Sequence, residues 1–123
     1  MKRDIENTQD ITLLVETFYR DLCKISEMDN LYNEVIKIDW ETHIPIMVRF
    51  WGSLVLREGG YRGNILSHHH HVMEKYPLTQ EMFHTWENCF LETLNRLFQG
   101  PNSDKTKKRV RAMSQSLIKK LDI

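Results

Sequence analysis

Two cysteines, three prolines and five glycines are few for 123 residues, and each shortage removes something. So little cysteine leaves no disulfide scaffold, and Cys23 and Cys89 form neither a CxxC pair nor a Cys/His zinc spacing. Both lie inside apolar helical patterns and are expected as buried free thiols. Proline and glycine gather at Gly59-Gly60, Gly63, Pro77 and Gly100-Pro101, where they separate segments that read as helices. No stretch keeps the period-two alternation of a half-buried strand. Neither sign of charge is in excess: 17 Lys and Arg face 17 Asp and Glu, which gives no support to bulk attraction for nucleic acid or an anionic membrane. No apolar run nears the roughly 20 residues that span a bilayer. The opening MKRDIENTQD lacks the apolar stretch of a signal peptide, so the cytoplasm is the expected compartment.

What is present is ordinary in amount and telling in placement. Hydrophobic residues make up 41% and charged residues 28%, as in a globular chain. Residues 1–123 are expected to form one domain, long enough to bury roughly two-thirds of its unfolded surface. Ile11, Leu14, Phe18, Leu22 and Ile25 recur at three- and four-residue steps and predict a helix over about 10–25, with Tyr19 beside the stripe. A poorly patterned stretch follows, with Leu31, Tyr32 and Ile36 as its apolar points. A second long helix is expected from Asp39, a fair N-cap, to about Leu56, with Pro45 in its first turns and the glycine pair as its stop. Trp40, His43, Met47, Phe50 or Trp51, and Leu54 share one face of it. A short helix is expected over 64–73. Thr79 is a cap and Leu78 a staple on Phe83 for a helix whose apolar face is Met82, Phe83, Trp86, Phe90, Leu94 and Leu97. After Gly100-Pro101, Val110, Met113, Leu117 and Leu121 mark a last helix. The fold class is all-α, two antiparallel helix pairs around a loop-rich middle.

Four histidines in a row, His68 to His71, stand between the two long aromatic helices. A neutral imidazole is a good axial ligand for iron, and aromatic walls suit a flat apolar cofactor. Successive helical side chains point about 100° apart, so only one or two can reach a single buried target. Taken alone, the run reads rather as a solvated histidine-rich patch or an adventitious surface metal site, and nothing in it specifies haem. His43 is more telling, because a ring on an apolar face needs a partner or a ligand for its nitrogens. Tyr19 and Trp86 are polar-tipped aromatics on or beside buried stripes. Three donors converging from three helices suit a small, partly negative ligand such as dioxygen. The basic stretch Lys105 to Arg111 (KTKKRVR) begins the last helix without interleaved aromatics, and reads as a solvated face rather than a nucleic-acid site.

A string of short motifs runs over almost the whole chain. Phe18-Tyr19 stands in the first helix, and Tyr32 follows thirteen residues after Tyr19. Trp40-Glu41-Thr42-His43 has the form W-x-x-H, then comes the pair Phe50-Trp51. Tyr61-Arg62-Gly63-Asn64 has the form Y-x-G-N, with a histidine six residues beyond its glycine, and Phe83-His84-Thr85-Trp86 has the form F-x-x-W. In order and spacing the chain resembles the truncated haemoglobins, and among them group III, whose lack of the other groups' glycine motifs it shares. Tyr32 stands where the family usually has phenylalanine, and Ile65 where it often has proline.

The resemblance implies a two-over-two helical sandwich holding haem b. It implies His69 as the ligand of the iron, with His68 and His70 as the neighbouring alternatives. It implies a distal pocket of Tyr19, His43 and Trp86, and packing on the porphyrin by Tyr32, Met47, Phe50, Trp51, Phe83 and Phe90. Expected partners are O2, CO, NO or similar small ligands and an unidentified reductase, with the oligomeric state open. Expected uses are redox turnover, nitric oxide or peroxide detoxification, or sensing, rather than bulk oxygen transport. Two other readings stand beside it: a cofactor-free structural or interaction bundle, and a non-haem metal site built from His43 and the histidine run, which lacks a nearby carboxylate.

Overall fold

The first helix starts where a cap is available, three residues ahead of its apolar stripe. In this computed structural model, which describes residues 2–57, 72, 75–76 and 78–123, α1 spans Thr8–Leu22. The Asn7 side chain accepts the Asp10 amide at 2.9 Å and so satisfies one of the free N–H groups of the first turn. The helix closes at Leu22, so the expected extension to Ile25 does not form. With the register broken there, Ile25 is 40% exposed rather than buried, and Cys23 is half-buried rather than a core thiol. Cys89 is buried, and both cysteines are free.

The poorly patterned stretch is a short helix, α2 (Ser26–Asp29), running into a π-helical turn over Asn30–Val35. Lys37 takes a left-handed φ of 61°, which lets Ile38 N–H reach back to the Tyr32 carbonyl at 2.9 Å and closes the turn. α3 spans Trp40–Val55 with Asp39 at its N-cap. The Asp39 main-chain carbonyl takes the amides of Thr42 and His43, while its carboxylate accepts the Thr42 hydroxyl at 3.0 Å. Pro45 is the sixth residue of α3, beyond the four N–H groups that have no intrahelical partner. It therefore deletes one helical bond, to Glu41, instead of falling where its missing donor costs least. The helix continues through it, and Glu41 is exposed, so water can take the freed carbonyl. Arg57, at φ 58°, turns the chain after α3, and the glycine pair at 59 and 60 lies outside the described residues. The short helix expected over 64–73 also lies outside them, apart from Val72.

α4 spans Gln80–Leu97 and α5 spans Pro101–Leu121. Thr79 caps α4 as expected, accepting Met82 N–H at 3.2 Å, and Leu78 and Phe83 are buried on either side of the cap. α1 packs on α3 and on α4, and α4 packs on α5, which gives two helix pairs crossed through α1 and α4. No strand occurs among the described residues, and the all-α two-over-two arrangement is the one expected. Phe18, Leu14, Leu22, Val55, Phe90, Leu94 and Val110 fill the centre, each at most 2% exposed.

The segment before α1 closes the far end. Gly100 precedes α5 and offers no side-chain cap. The Asp4 carboxylate does that work from 98 and 99 residues away, accepting Asn102 N–H at 2.8 Å and Ser103 N–H at 2.9 Å. Gly100 sits at φ 149°, and a Cβ there would stand 2.5 Å from Asp4 Cγ, so only glycine lets the carboxylate in. Asp10 is 3% exposed and holds the Arg3 guanidinium and the Glu6 amide. Burial pushes its carboxyl up, but the Arg3 hydrogen bond and the backbone amides outweigh that and hold it below the usual carboxylate range.

Candidate functional site

Aromatic residues gather where α1, the π-helical turn, α3 and α4 meet, and they fall into two linked groups. Phe90 is the centre of the inner group: Phe18 and Trp51 lie at ring-centroid distances of 4.8 Å and Trp86 at 5.7 Å. Phe18 meets the edge of Trp86 at 5.9 Å, and Phe50 meets Trp51 at 5.2 Å. The outer group is Tyr19, Tyr32, Trp40 and His43, with centroids between 5.2 and 6.0 Å. Phe18 and Tyr19, adjacent on α1, join the two at 4.8 Å.

The outer group is held by hydrogen bonds. Tyr19 Oη and His43 Nε2 lie 3.0 Å apart. In one imidazole tautomer the phenol donates to Nε2; in the other Nε2–H donates to the phenol oxygen. Trp40 Nε1–H donates to Asn33 Oδ1 at 2.7 Å, and the Asn33 amide in turn donates to Asp29 at 2.7 Å. Burial pushes the Tyr19 hydroxyl well above its ordinary range, with the Tyr32 and Cys23 side chains adding to it, so the phenol keeps its proton. Tyr32 is likewise raised by burial first and by the two thiols second, and burial pushes Cys89 up to about 11. A cleft of about 320 Å³ opens beside the group, bordered by Tyr19, Trp40, Ile44, Glu16 and Arg20.

The expected site residues are therefore brought together only in part. Tyr19 and His43 meet, but as partners of each other rather than as separate donors. Trp86 is half-buried in the inner ring group, and its indole N–H makes no hydrogen bond among the described residues. Phe50, Trp51, Phe83 and Phe90 are buried, while Tyr32, Met47 and His43 are half-buried. His69, with His68 and His70, lies outside the described residues, as does the Tyr61-to-Asn64 motif. Among the described residues no group of three His, Cys, Asp or Glu could hold a metal ion, and no helix is long and apolar enough to cross a membrane.

Two contributors were not among the expected site residues. Trp40 touches Tyr19, Tyr32 and His43 at once, and its spacing three residues before His43 was the available signal. Asn33 fixes the Trp40 indole from a π-helical turn that has no apolar period to reveal it. The first half of α3 has a further property. Trp40, Ile44, Ile46, Met47 and Val48 make it strongly apolar, yet no residue from Trp40 to Arg49 is fully buried. An apolar half-helix left half-covered, with an imidazole set in it and aromatic rings beside it, fits a flat apolar group of the porphyrin kind.

No family model matches the chain. The group 3 truncated hemoglobin ctb of Campylobacter jejuni is 31% identical to it over 101 residues, 80% of this chain and 77% of that protein. The crystal structure of a group III truncated hemoglobin from Campylobacter jejuni superposes with a TM-score of 0.82 at 28% identity, covering 95% of this chain and 92% of that one. With the helix pairs and the Tyr19–His43 contact already in place, these matches show that the chain belongs to the group III truncated haemoglobins.

Proposed function

We propose that residues 1–123 form one haem-binding globin domain that takes O2, CO, NO or similar small ligands at a tight distal site. It serves redox turnover, nitric oxide or peroxide detoxification, or sensing rather than bulk oxygen transport. The observation that carries this reading is the Tyr19–His43 hydrogen bond, set in an apolar half-helix that is not fully covered. The name of the curated relative, that of a haem protein, agrees with it.

Haem b, once bound, supplies an iron centre able to take a diatomic ligand. His69 is the residue that the family's motif assigns to the iron, and a slip to His68 or His70 turns the imidazole by about 100°. Met47 and Tyr32, half-buried, have surface left to pack on the ring, and Phe50, Trp51, Phe83 and Phe90 back it. Tyr19 has one proton to give. When His43 Nε2 is bare, the phenol donates its hydrogen bond to the imidazole; when Nε2 carries its own proton, it donates to the phenol oxygen and the phenol O–H is free to donate to the ligand. Trp86 N–H, unbonded among the described residues, is the second donor.

Hydrogen bonds to charged groups are worth about 1.5–3 kcal/mol each, so two of them slow ligand release by an order of magnitude or more. A site that releases slowly serves chemistry or sensing better than delivery. The reductant is an unidentified reductase, and the cytoplasm is the compartment. The test is direct: protein purified with added hemin develops a Soret band that shifts under carbon monoxide. A chain that stays colourless, and gains no band from hemin, overturns the reading in favour of a cofactor-free bundle.

A further inference from the structure

The charge of this neutral chain is segregated. α5 holds seven basic residues against one acid, Asp104, so the rest of the chain holds 10 basic residues against 16 acidic ones. At 100° per residue, Lys105, Lys108, Arg109, Lys119 and Lys120 fall within an arc of about 120°. The buried side of the helix, Ser103, Thr106, Val110, Ser114 and Leu117, faces the other way. Lys108, Arg109, Lys119 and Lys120 are exposed and Lys105 is half-buried. None of the five makes an ion pair among the described residues; the one pair on α5 joins Lys107 to Asp104 at 3.8 Å.

A merely solvated face mixes both signs. Here Lys105 opposes Lys108 and Arg109 at three- and four-residue spacing, and such like pairs weaken a helix. Lys119 and Lys120 at least suit the negative C-terminal end of α5, but Lys105, Lys108 and Arg109 have no such use. The two cation clusters stand about 15 Å apart along the axis, with Ala112 and Ser116 as a low platform between them. The arc has no large apolar side chain to enter a bilayer and no aromatic to stack on a base.

We propose that this face of α5 docks a small acidic electron-transfer protein, the reductant of the haem, which rests on the function proposed above. α5 packs on α4, the helix that carries Phe83, Trp86 and Phe90, so a partner seated on α5 rests against the neighbour of a helix that lines the site. Opposed charge steers such a partner to this side and away from the acidic remainder. The partner would supply one electron from its reduced iron–sulfur cluster, and bound haem would supply the ferric iron that accepts it; the transfer needs no movement of an atom or proton.

The probe is a plant-type [2Fe–2S] ferredoxin, photoreduced and mixed with the haem-loaded chain in a stopped-flow cell. The expected rate falls about tenfold or more as ionic strength rises from about 20 to about 300 mM. In the variant Lys105→Glu/Lys108→Glu/Arg109→Glu the low-salt rate is lower by about tenfold or more, with Soret band, carbon monoxide spectrum and dithionite reduction unchanged. Amide shifts caused by oxidised ferredoxin concentrate on residues 105–120. Equal rates for the two proteins overturn the proposal, as does tighter binding at the same salt by a short DNA duplex or by phosphatidylglycerol vesicles. Haem uptake without any ferredoxin effect sinks the docking face alone; a chain that takes up no haem sinks the haem reading, and the electron transfer with it.

Discussion

The strap before α1 and the first half of α3 are built on opposite terms. In the strap, polar groups find partners. Asp4 caps α5, Asp10 holds Arg3 and an amide, Asn102 reaches the Ile5 carbonyl at 2.8 Å, and Gln99 N–H meets the Arg3 carbonyl at 3.0 Å. In the first half of α3, apolar side chains remain half-covered, a proline removes a helical bond, and the outstanding polar contact is a phenol with an imidazole. Satisfied polar groups of the first kind hold a fold together. Uncovered apolar surface of the second kind costs stability until something lies on it, and a bound group then stabilises the folded state by mass action. The lesson is a division of labour, with satisfied polar contacts at one end and, at the other, the uncovered apolar surface to which the proposed function assigns ligand recognition.

Substitutions can break that division, and the largest effect is expected at His69. His69→Gly should leave the purified chain with less than about a tenth of the parent's Soret absorbance, because the iron would lose the ligand proposed for it. If pigment and spectrum survive, the assignment within the histidine run is wrong. Tyr19→Phe removes the phenol and should speed ligand release by about ten- to a hundredfold in flash or stopped-flow measurements, while thermal unfolding changes by less than about 1.5 kcal/mol. An unchanged off-rate would remove Tyr19 from the distal side.

The strap should answer in the reverse way. Gly100→Ala forces a Cβ at φ 149° into the Asp4 carboxylate and should cost about 1–3 kcal/mol of unfolding free energy with ligand kinetics untouched. Asp4→Ala removes the cap alone and should cost about 1 kcal/mol by the same measurement. A strap variant that altered ligand release as much as Tyr19→Phe would erase the distinction between the regions. The smallest expected effect is in acid. Asp10 has a folded-state pKa held below its unfolded value, as does Asp21, which is lowered chiefly by its hydrogen bond to Arg96 at 2.5 Å. Their contribution is present above the unfolded pKa of about 3.9 and is lost as pH falls through the folded value. Urea midpoints should therefore drop below about pH 4, and Asp10→Asn should flatten that drop.

Periodicity made the long helices legible. Ile11, Leu14, Phe18 and Leu22 announced α1, and Met82 to Leu97 announced α4 with its Thr79 cap. Ile25 was misjudged because a repeat continues on paper after the backbone has turned. Pro45 was misjudged although Asp39 caps α3 as expected, because only the first four N–H groups of a helix lack an internal partner and the sixth residue lies past them. At the site, spacing marked Tyr19 and His43 as buried polar groups without showing that they would bond each other, since that depends on the crossing of α1 and α3. Asn33 and Asp4 left no trace at all. One sits in a turn without apolar period, and the other caps a helix nearly 100 residues away, where no local rule reaches.

That distant cap also bears on the order in which the chain assembles. The first turn of α5 is completed by a carboxylate 98 residues upstream, and a contact across so long a loop forms only after the intervening chain has been drawn together. During synthesis the start of α5 must then fray until Asp4 swings in, and refolding should report that junction among the last to gain protection from hydrogen exchange.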